Sequence, residues 1–200
     1  MLKLNKIIEK TAVEGPGNRF CIWVQGCPHQ CKGCFNTETW DKSKGFDCNP
    51  ELLIKKILSV DNIDGVTFLG GEPFEQAEDL SYVAEIAKNN GLGVLTFTGY
   101  TYEQLKLKHS KSVDKLIEYT DLLIDGRFKE ELLDYSRPWV GSSNQRYIFL
   151  SERYTKEEIF KYNNSVEIRI GNNGEIIISG MGNFSRIKEL FYKKGDKGND

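Results

Sequence analysis

The stretch FCIWVQGCPHQCKGCFN, residues 20–36, joins the two signals that decide the fold. Its first part, FCIWVQ (20–25), is aromatic and β-branched and reads as a buried strand. It runs straight into Cys27, Cys31 and Cys34, spaced C-x3-C-x2-C. A strand that delivers ligand-type residues at its C-terminal end belongs to α/β folds, which collect their chemistry at that edge of the sheet. Three thiols with no fourth beside them are one short of the usual ligand set for a thiolate-bound metal.

The chain around this stretch has 200 residues, enough for one domain with a sizeable core. A hydrophobic fraction of 39% and a charged fraction of 28% are those of a soluble globule. A net charge of -2 gives no pull towards nucleic acid or anionic lipid. No apolar run is long enough to span a bilayer, and Lys and Glu interrupt MLKLNKIIEKTAVEG where a signal peptide would be apolar. The chain is therefore read as cytoplasmic, with no membrane or nucleic-acid partner. In that compartment thiols stay reduced, and five cysteines clustered early in the chain argue for metal binding over disulfides. Cys21 lies inside the apolar run and reads as a strand residue. Cys48, in KGFDCNPE, stays ambiguous.

Downstream, strands alternate with helices. NPELLIKKILSV (49–60) starts as a helix, with Asn49 as cap and Pro50 in the first turn. GVTFLGGEP (65–73) is a short strand ending in glycines, and EQAEDLSYVAEIAKNNG (75–91) a helix stopped by Gly91. GVLTFTGY (93–100), DLLIDGRF (121–128) and RYIFL (146–150) read as strands, with TYEQLKLK and SVDKLIEYT as intervening helices. SVEIRIGNNGEIIISG (165–180) reads as a hairpin around Asn172-Asn173-Gly174. The pattern predicts an α/β fold with a parallel sheet. The cysteine loop, GGEP, TGY, DGRF and the loop RPWVGSSNQ then meet at one edge.

Two metal readings stand at this point. Structural zinc takes four protein ligands, and His29, Cys21 or Cys48 would have to complete the set. An iron–sulfur cube held by three cysteines leaves one iron open for a reacting molecule.

The spacing C-x3-C-x2-C just after the first strand resembles that of the radical S-adenosylmethionine (radical SAM) enzymes. Gly70-Gly71-Glu72-Pro73 looks like that family's GGE motif. The resemblance implies one [4Fe–4S] cluster on Cys27, Cys31 and Cys34, with the open iron chelated by SAM. It implies reductive cleavage of SAM to a 5′-deoxyadenosyl radical. It implies that Gly70, Gly71 and Glu72 meet the methionine moiety; glycines allow close approach, and a carboxylate or carbonyl accepts from an ammonium. Gly33, Phe35 and Asn36 beside Cys34 are candidates for holding the rest of the ligand, and Thr98 for reaching the ribose. The family often carries an aromatic residue before the third cysteine. Here that position is Gly33, and the aromatic, Phe35, follows.

The opening GPGNRFCIWVQGCPHQCKGCFNTETW, with FTGY (97–100) and DGRF (125–128), is similar to a group within that family that activates anaerobic ribonucleotide reductase. This likeness spans roughly residues 14–150. It implies hydrogen abstraction from a glycine of that glycyl-radical partner, and a low-potential electron donor such as flavodoxin. The expected architecture is an incomplete, open (β/α) barrel of about five or six mainly parallel strands with a C-terminal hairpin, because a closed eight-stranded barrel needs roughly 250 residues. Residues 1–192 are expected to form one domain, with 151–192 as an extension and 193–200 as a frayed tail. The alternatives are a radical SAM enzyme acting on a small molecule or on another glycyl-radical enzyme, and a non-catalytic zinc module. Trp23 and Trp40 flank the cysteine loop as packing or shielding. Arg127, Arg137 and Arg146 are possible anion partners, Asp125 ends a strand, and His109 reads as exposed.

Overall fold

A computed structural model describes residues 1–182 apart from 173 and 175. Seven strands form one mixed sheet in the order β3-β1-β2-β4-β5-β6-β7. They are β1 (Leu2–Thr11), β2 (Arg19–Val24), β3 (Phe46–Cys48), β4 (Gly65–Gly70), β5 (Gly93–Phe97), β6 (Leu122–Asp125) and β7 (Arg146–Phe149). The pairings β2–β4, β4–β5 and β5–β6 are parallel; β1–β2, β1–β3 and β6–β7 are antiparallel. The expectation of a mainly parallel sheet is corrected here: parallel strands form only the centre. The missed strand β1 covers the residues read above only as a failed signal peptide. Its Lys and Glu residues suit a strand with one partly exposed face. The antiparallel hairpin β8 (Val166–Ile170) and β9 (Ile176–Gly180) is a separate two-stranded sheet.

Helices α1 (Pro50–Leu58), α2 (Ala77–Asn89), α3 (Tyr102–Lys106) and α4 (Lys111–Tyr119) are the crossovers between the parallel strands. Asn49 caps α1, its side chain accepting from the N–H groups of Glu51 and Leu52. Leu53, Ile57, Leu80, Ala84, Leu105 and Leu116 from these helices share one buried cluster with Phe20, Ile22, Val24, Val66, Phe68, Val94 and Leu123. Those strand positions alternate, as one face of a pleated sheet must.

The other face carries the alternate residues. Cys21, Trp23 and Leu69 pack with Ile8, while Leu95, Leu122 and Ile124 pack with Trp139, Val140 and Ile159 of the short helix α5 (Lys156–Ile159). The β1–β2 register shifts between Leu4 and Lys6. That irregularity flips the parity of β1: Leu2 and Leu4 face the helices, whereas Lys6 and Ile8 face the opposite side.

At the N-terminal edge this second face is plugged by Arg19, fully buried. Its guanidinium donates to Thr67 Oγ1 (3.0 Å), Tyr154 Oη (2.8 Å), and the carbonyls of Val66 (2.5 Å) and Gly93 (2.9 Å). With the Pro16 carbonyl at 3.4 Å as the fifth acceptor, each donor has a partner, which makes a buried cation tolerable. A Cβ on Gly65 would collide with the guanidinium. The tail expected to fray, 193–200, lies outside the described residues, as does 183–192 of the extension.

Candidate active site

At the C-terminal edge of the parallel strands the second face opens into a cavity of about 390 Å³. Cys27, Cys31 and Cys34 line it together with Gly70, Gly71, Glu72, Thr98 and Asn36. The loops after β2, β4, β5 and β6, and the loop before β7, all contribute, which is the meeting of motifs that the strand–helix alternation implied.

The cysteine loop is tied down at its base. Gly26 N–H donates to Thr39 O (2.7 Å) and Cys27 N–H to Trp40 O (3.2 Å). The GGEP turn is hydrogen-bonded to that base: Gly71 N–H donates to Val24 O (2.8 Å) and Glu72 N–H to Gly26 O (2.9 Å). The two glycines have a local reason. Gly70 has φ +101°, and a Cβ there would meet Trp23 at 2.8 Å; one on Gly71 would run into the Gly26 carbonyl. The close approach they permit is to the chain's own backbone.

Glu72 is wholly buried, and its carboxylate is fully occupied. Oε1 accepts from Thr98 Oγ1 (2.8 Å) and Phe74 N–H (3.1 Å); Oε2 accepts from Gly99 N–H (2.8 Å) and His29 Nε2 (3.0 Å). Four donors match the acceptor capacity of a carboxylate. Of the two acceptors the sequence offered for an ammonium, the carboxylate is thus occupied within the chain and the backbone carbonyls are left, and Thr98, a candidate for reaching a ribose, has its hydroxyl proton directed at Glu72. His29, named from the sequence only as one of three residues that could complete a zinc set, is the missed member of this network. Its side chain is 3% exposed and its ring meets Tyr100 edge-on at 4.4 Å. A Cβ on Gly99 would overlap the imidazole. Glu72 and His29 thus fasten the cysteine loop to the ends of β4 and β5.

Burial pushes the Cys27 and Cys31 thiols up. The N–H groups of His29 and Gln30 oppose this at Cys27, and the positive field of Arg127 opposes it at Cys31. Asn36 N–H approaches Cys34 Sγ at 3.4 Å. Gly33 does not line the cavity; it has φ +74° and turns the loop beside Glu130. Phe35 lines the cavity and meets Phe128 edge-on at 5.8 Å.

Other candidates are placed elsewhere. Cys21 is buried in β2 and its thiol donates to Arg19 O; Cys48 sits in β3 and donates to Asn49 O. Trp23 both packs in the second face and lines the cavity, and Trp40 does not line it. Asp125 and Arg146 form a bidentate pair that also engages Glu103, and Arg137 clips Asp134 and the carbonyls of Ser142 and Gln145. These two arginines have internal partners, whereas Arg127 is exposed. His109 is exposed as expected. No helix among the described residues is long and apolar enough to cross a membrane.

Residues 13–148 match the family described as a 4Fe-4S single cluster domain. The chain is 35% identical over 142 residues to the anaerobic ribonucleoside-triphosphate reductase-activating protein of Vibrio cholerae, covering 66% of this chain and 88% of that one. It is 34% identical to the protein of that name from Enterobacteria phage T4 (67% and 85% covered) and 35% identical to that from Escherichia coli (66% and 89%). Among solved structures, QueE from Escherichia coli aligns with a TM-score of 0.41 at 23% identity, over 50% of this chain and 53% of that one, too slight a likeness to argue from. With its three thiols at the end of β2 inside the matched segment, the chain belongs to the 4Fe-4S single cluster domain family, alongside the anaerobic ribonucleoside-triphosphate reductase-activating proteins.

Proposed function

We propose that this chain is a radical SAM activase that generates a glycyl radical on an anaerobic ribonucleotide reductase. The observation that carries the reading is the convergence of Cys27, Cys31 and Cys34 with the GGEP turn on one cavity. The donor chemistry fits a [4Fe–4S] cluster with one iron left to an exogenous ligand. Among the described residues, no group of three or more His, Cys, Asp or Glu is placed to hold a single metal ion. A structural zinc would need a fourth protein ligand, and of the candidates His29 is held by Glu72 while Cys21 and Cys48 sit in β2 and β3.

Cys27, Cys31 and Cys34 would hold the cluster. Bound there, the cluster and SAM would supply one-electron reductive cleavage and radical hydrogen abstraction. The protein's contribution is placement. Glu72, through His29, holds the cysteine loop against the ends of β4 and β5. Because the Glu72 carboxylate is saturated, backbone carbonyls of the GGEP turn are the acceptors left for a ligand ammonium. Trp23, Leu69, Phe97 and Phe128 give the cavity apolar walls that limit water around a reactive species. Phe35 and Asn36 remain the candidates for holding the adenosyl part; Gly33 contributes the turn that presents them.

We further infer that the sheet is the wall of an open (β/α) barrel. Supporting this, β2, β4, β5 and β6 advance in sequence order and all four crossover helices cover one face. The open side suits a macromolecular substrate. The test is anaerobic: the cluster-loaded chain, SAM, a low-potential reductant such as reduced flavodoxin, and the reductase should together give a glycyl doublet by electron paramagnetic resonance. A chain that purifies colourless and zinc-loaded, or a doublet that appears without it, would end the reading.

A further inference from the structure

The family match ends at residue 148, but the cavity does not. Ile178, Ser179, Gly180 and Met181 form part of its wall, beside Lys6 of β1 and Glu14 of the β1–β2 loop. The hairpin is anchored in that position. Thr11 Oγ1 donates to Glu167 (2.5 Å), Arg169 donates to the Lys10 carbonyl, and Gly180 N–H donates to Glu14 Oε1 (2.6 Å). Ile177 packs on the cluster of Ile8, Cys21, Trp23 and Leu69.

This wall holds polar groups that the proposed chemistry does not use. Ser179 is 4% exposed, and its hydroxyl is buried with no hydrogen-bond partner among the described residues. An orphaned buried hydroxyl is costly and calls for an explanation. Glu14 is 8% exposed, and burial lifts its carboxyl to about 7 against the opposing influence of Lys6. Lys6 Nζ lies 4.5 Å from the centroid of the Trp23 ring. The wall therefore offers an acceptor, a cationic donor and a hydroxyl capable of either role. A ligand cation would be repelled by Lys6, and Glu14, whose carboxyl burial lifts to about 7, can donate as well as accept near neutral pH. A neutral group with both an N–H donor and a C=O acceptor satisfies all three, and that is a peptide amide.

We propose that Ser179, Glu14 and Lys6 form a subsite that binds the backbone of the polypeptide substrate beside the cysteine loop. The proposal rests on the activase reading above. In it the hairpin completes the site, supplying a wall from outside the segment matched to the family.

The test uses the full cluster-loaded chain with SAM and the reductase. Ser179→Ala should keep or raise the melting temperature, because an unpaired hydroxyl is removed, and should leave SAM affinity unchanged. It should raise KM for the reductase about 5- to 10-fold, the worth of one hydrogen bond, with kcat retained. Saturation-transfer NMR with N-acetylglycinamide should detect binding to the wild-type chain and a weaker signal from Ser179→Ala. An unchanged KM with an unchanged amide signal overturns the subsite. Weaker SAM binding in Ser179→Ala overturns the ligand, assigning the hydroxyl to the ribose of SAM. A wild-type chain that cleaves SAM but never yields a glycyl radical overturns the activase reading and this proposal with it.

Discussion

The two faces of the central sheet are built from the same strands and serve different ends. On β2, Phe20, Ile22 and Val24 enter the continuous apolar cluster under the helices, while Arg19, Cys21 and Trp23 enter the opposite face. The helix face is closed and uniform. The opposite face is graded: a satisfied cation at the N-terminal edge, an apolar middle, and a cavity lined by three thiols at the C-terminal edge. A period of two lets one strand serve stability with every second residue and the site with those between. Mutations on the helix face should therefore act on folding, and mutations on the cavity face on chemistry.

The largest expected effect lies at the cavity. Cys27→Ala, Cys31→Ala or Cys34→Ala should abolish the brown absorbance of the cluster and reduce SAM cleavage to background. Cys21→Ala and Cys48→Ala should retain both. Loss of the cluster in Cys48→Ala would break the three-ligand assignment.

On the helix face, Phe68→Ala should cost about 3–5 kcal/mol of stability in denaturant titrations. It should leave the SAM affinity of the folded fraction intact. A changed affinity would show that the two faces are coupled.

Glu72→Gln preserves shape but sets an NH2 group against donors already pointing at that position. One buried group then goes unpaired, at about 1–3 kcal/mol, with lower iron content per chain as the second readout. Full iron content and unchanged stability would remove the Glu72–His29 fastening.

Glu14 gives a pH-dependent contrast. Its carboxyl is raised from 4.5 to about 7 by burial, so the folded state favours the protonated form. The resulting stability is complete below about 4.5 and is lost as pH rises through about 7. Glu14→Gln should therefore gain on the wild type by up to about 3 kcal/mol at pH 8, at ~1.4 kcal/mol per pH unit, and by nothing near pH 4. Melting curves at the two pH values decide it. The smallest effect is Asn49→Ala, which removes the α1 cap for about 1 kcal/mol and should leave SAM cleavage unaltered.

Much of this was legible in the chain. β2, β4, β5 and β6 announced themselves as apolar runs, and the α1 start was read from Asn49 and Pro50 within a residue. β1 was missed because a half-buried antiparallel strand carries charges on its other side, and a register shift breaks its alternation. β3, only three residues long, has no period to detect. GGEP is legible as a motif, and the structure adds a second, local reason for its glycines: the close approach of Trp23 and of the Gly26 carbonyl. His29 carried no local signal, since a histidine's partner is set by what folds against it.

The sequence by itself determined the three thiols, their place after a strand, and the alternation that brings the motif loops to one edge. Those are local or periodic properties, fixed by spacing along the chain. Only the tertiary structure decided that Glu72 is saturated, that Arg19 plugs the far end of the same face, and that the hairpin at 166–180 walls the cavity with Ser179. Each of those facts joins residues far apart in sequence, and spacing along the chain carries no record of which distant groups will satisfy a buried hydrogen bond.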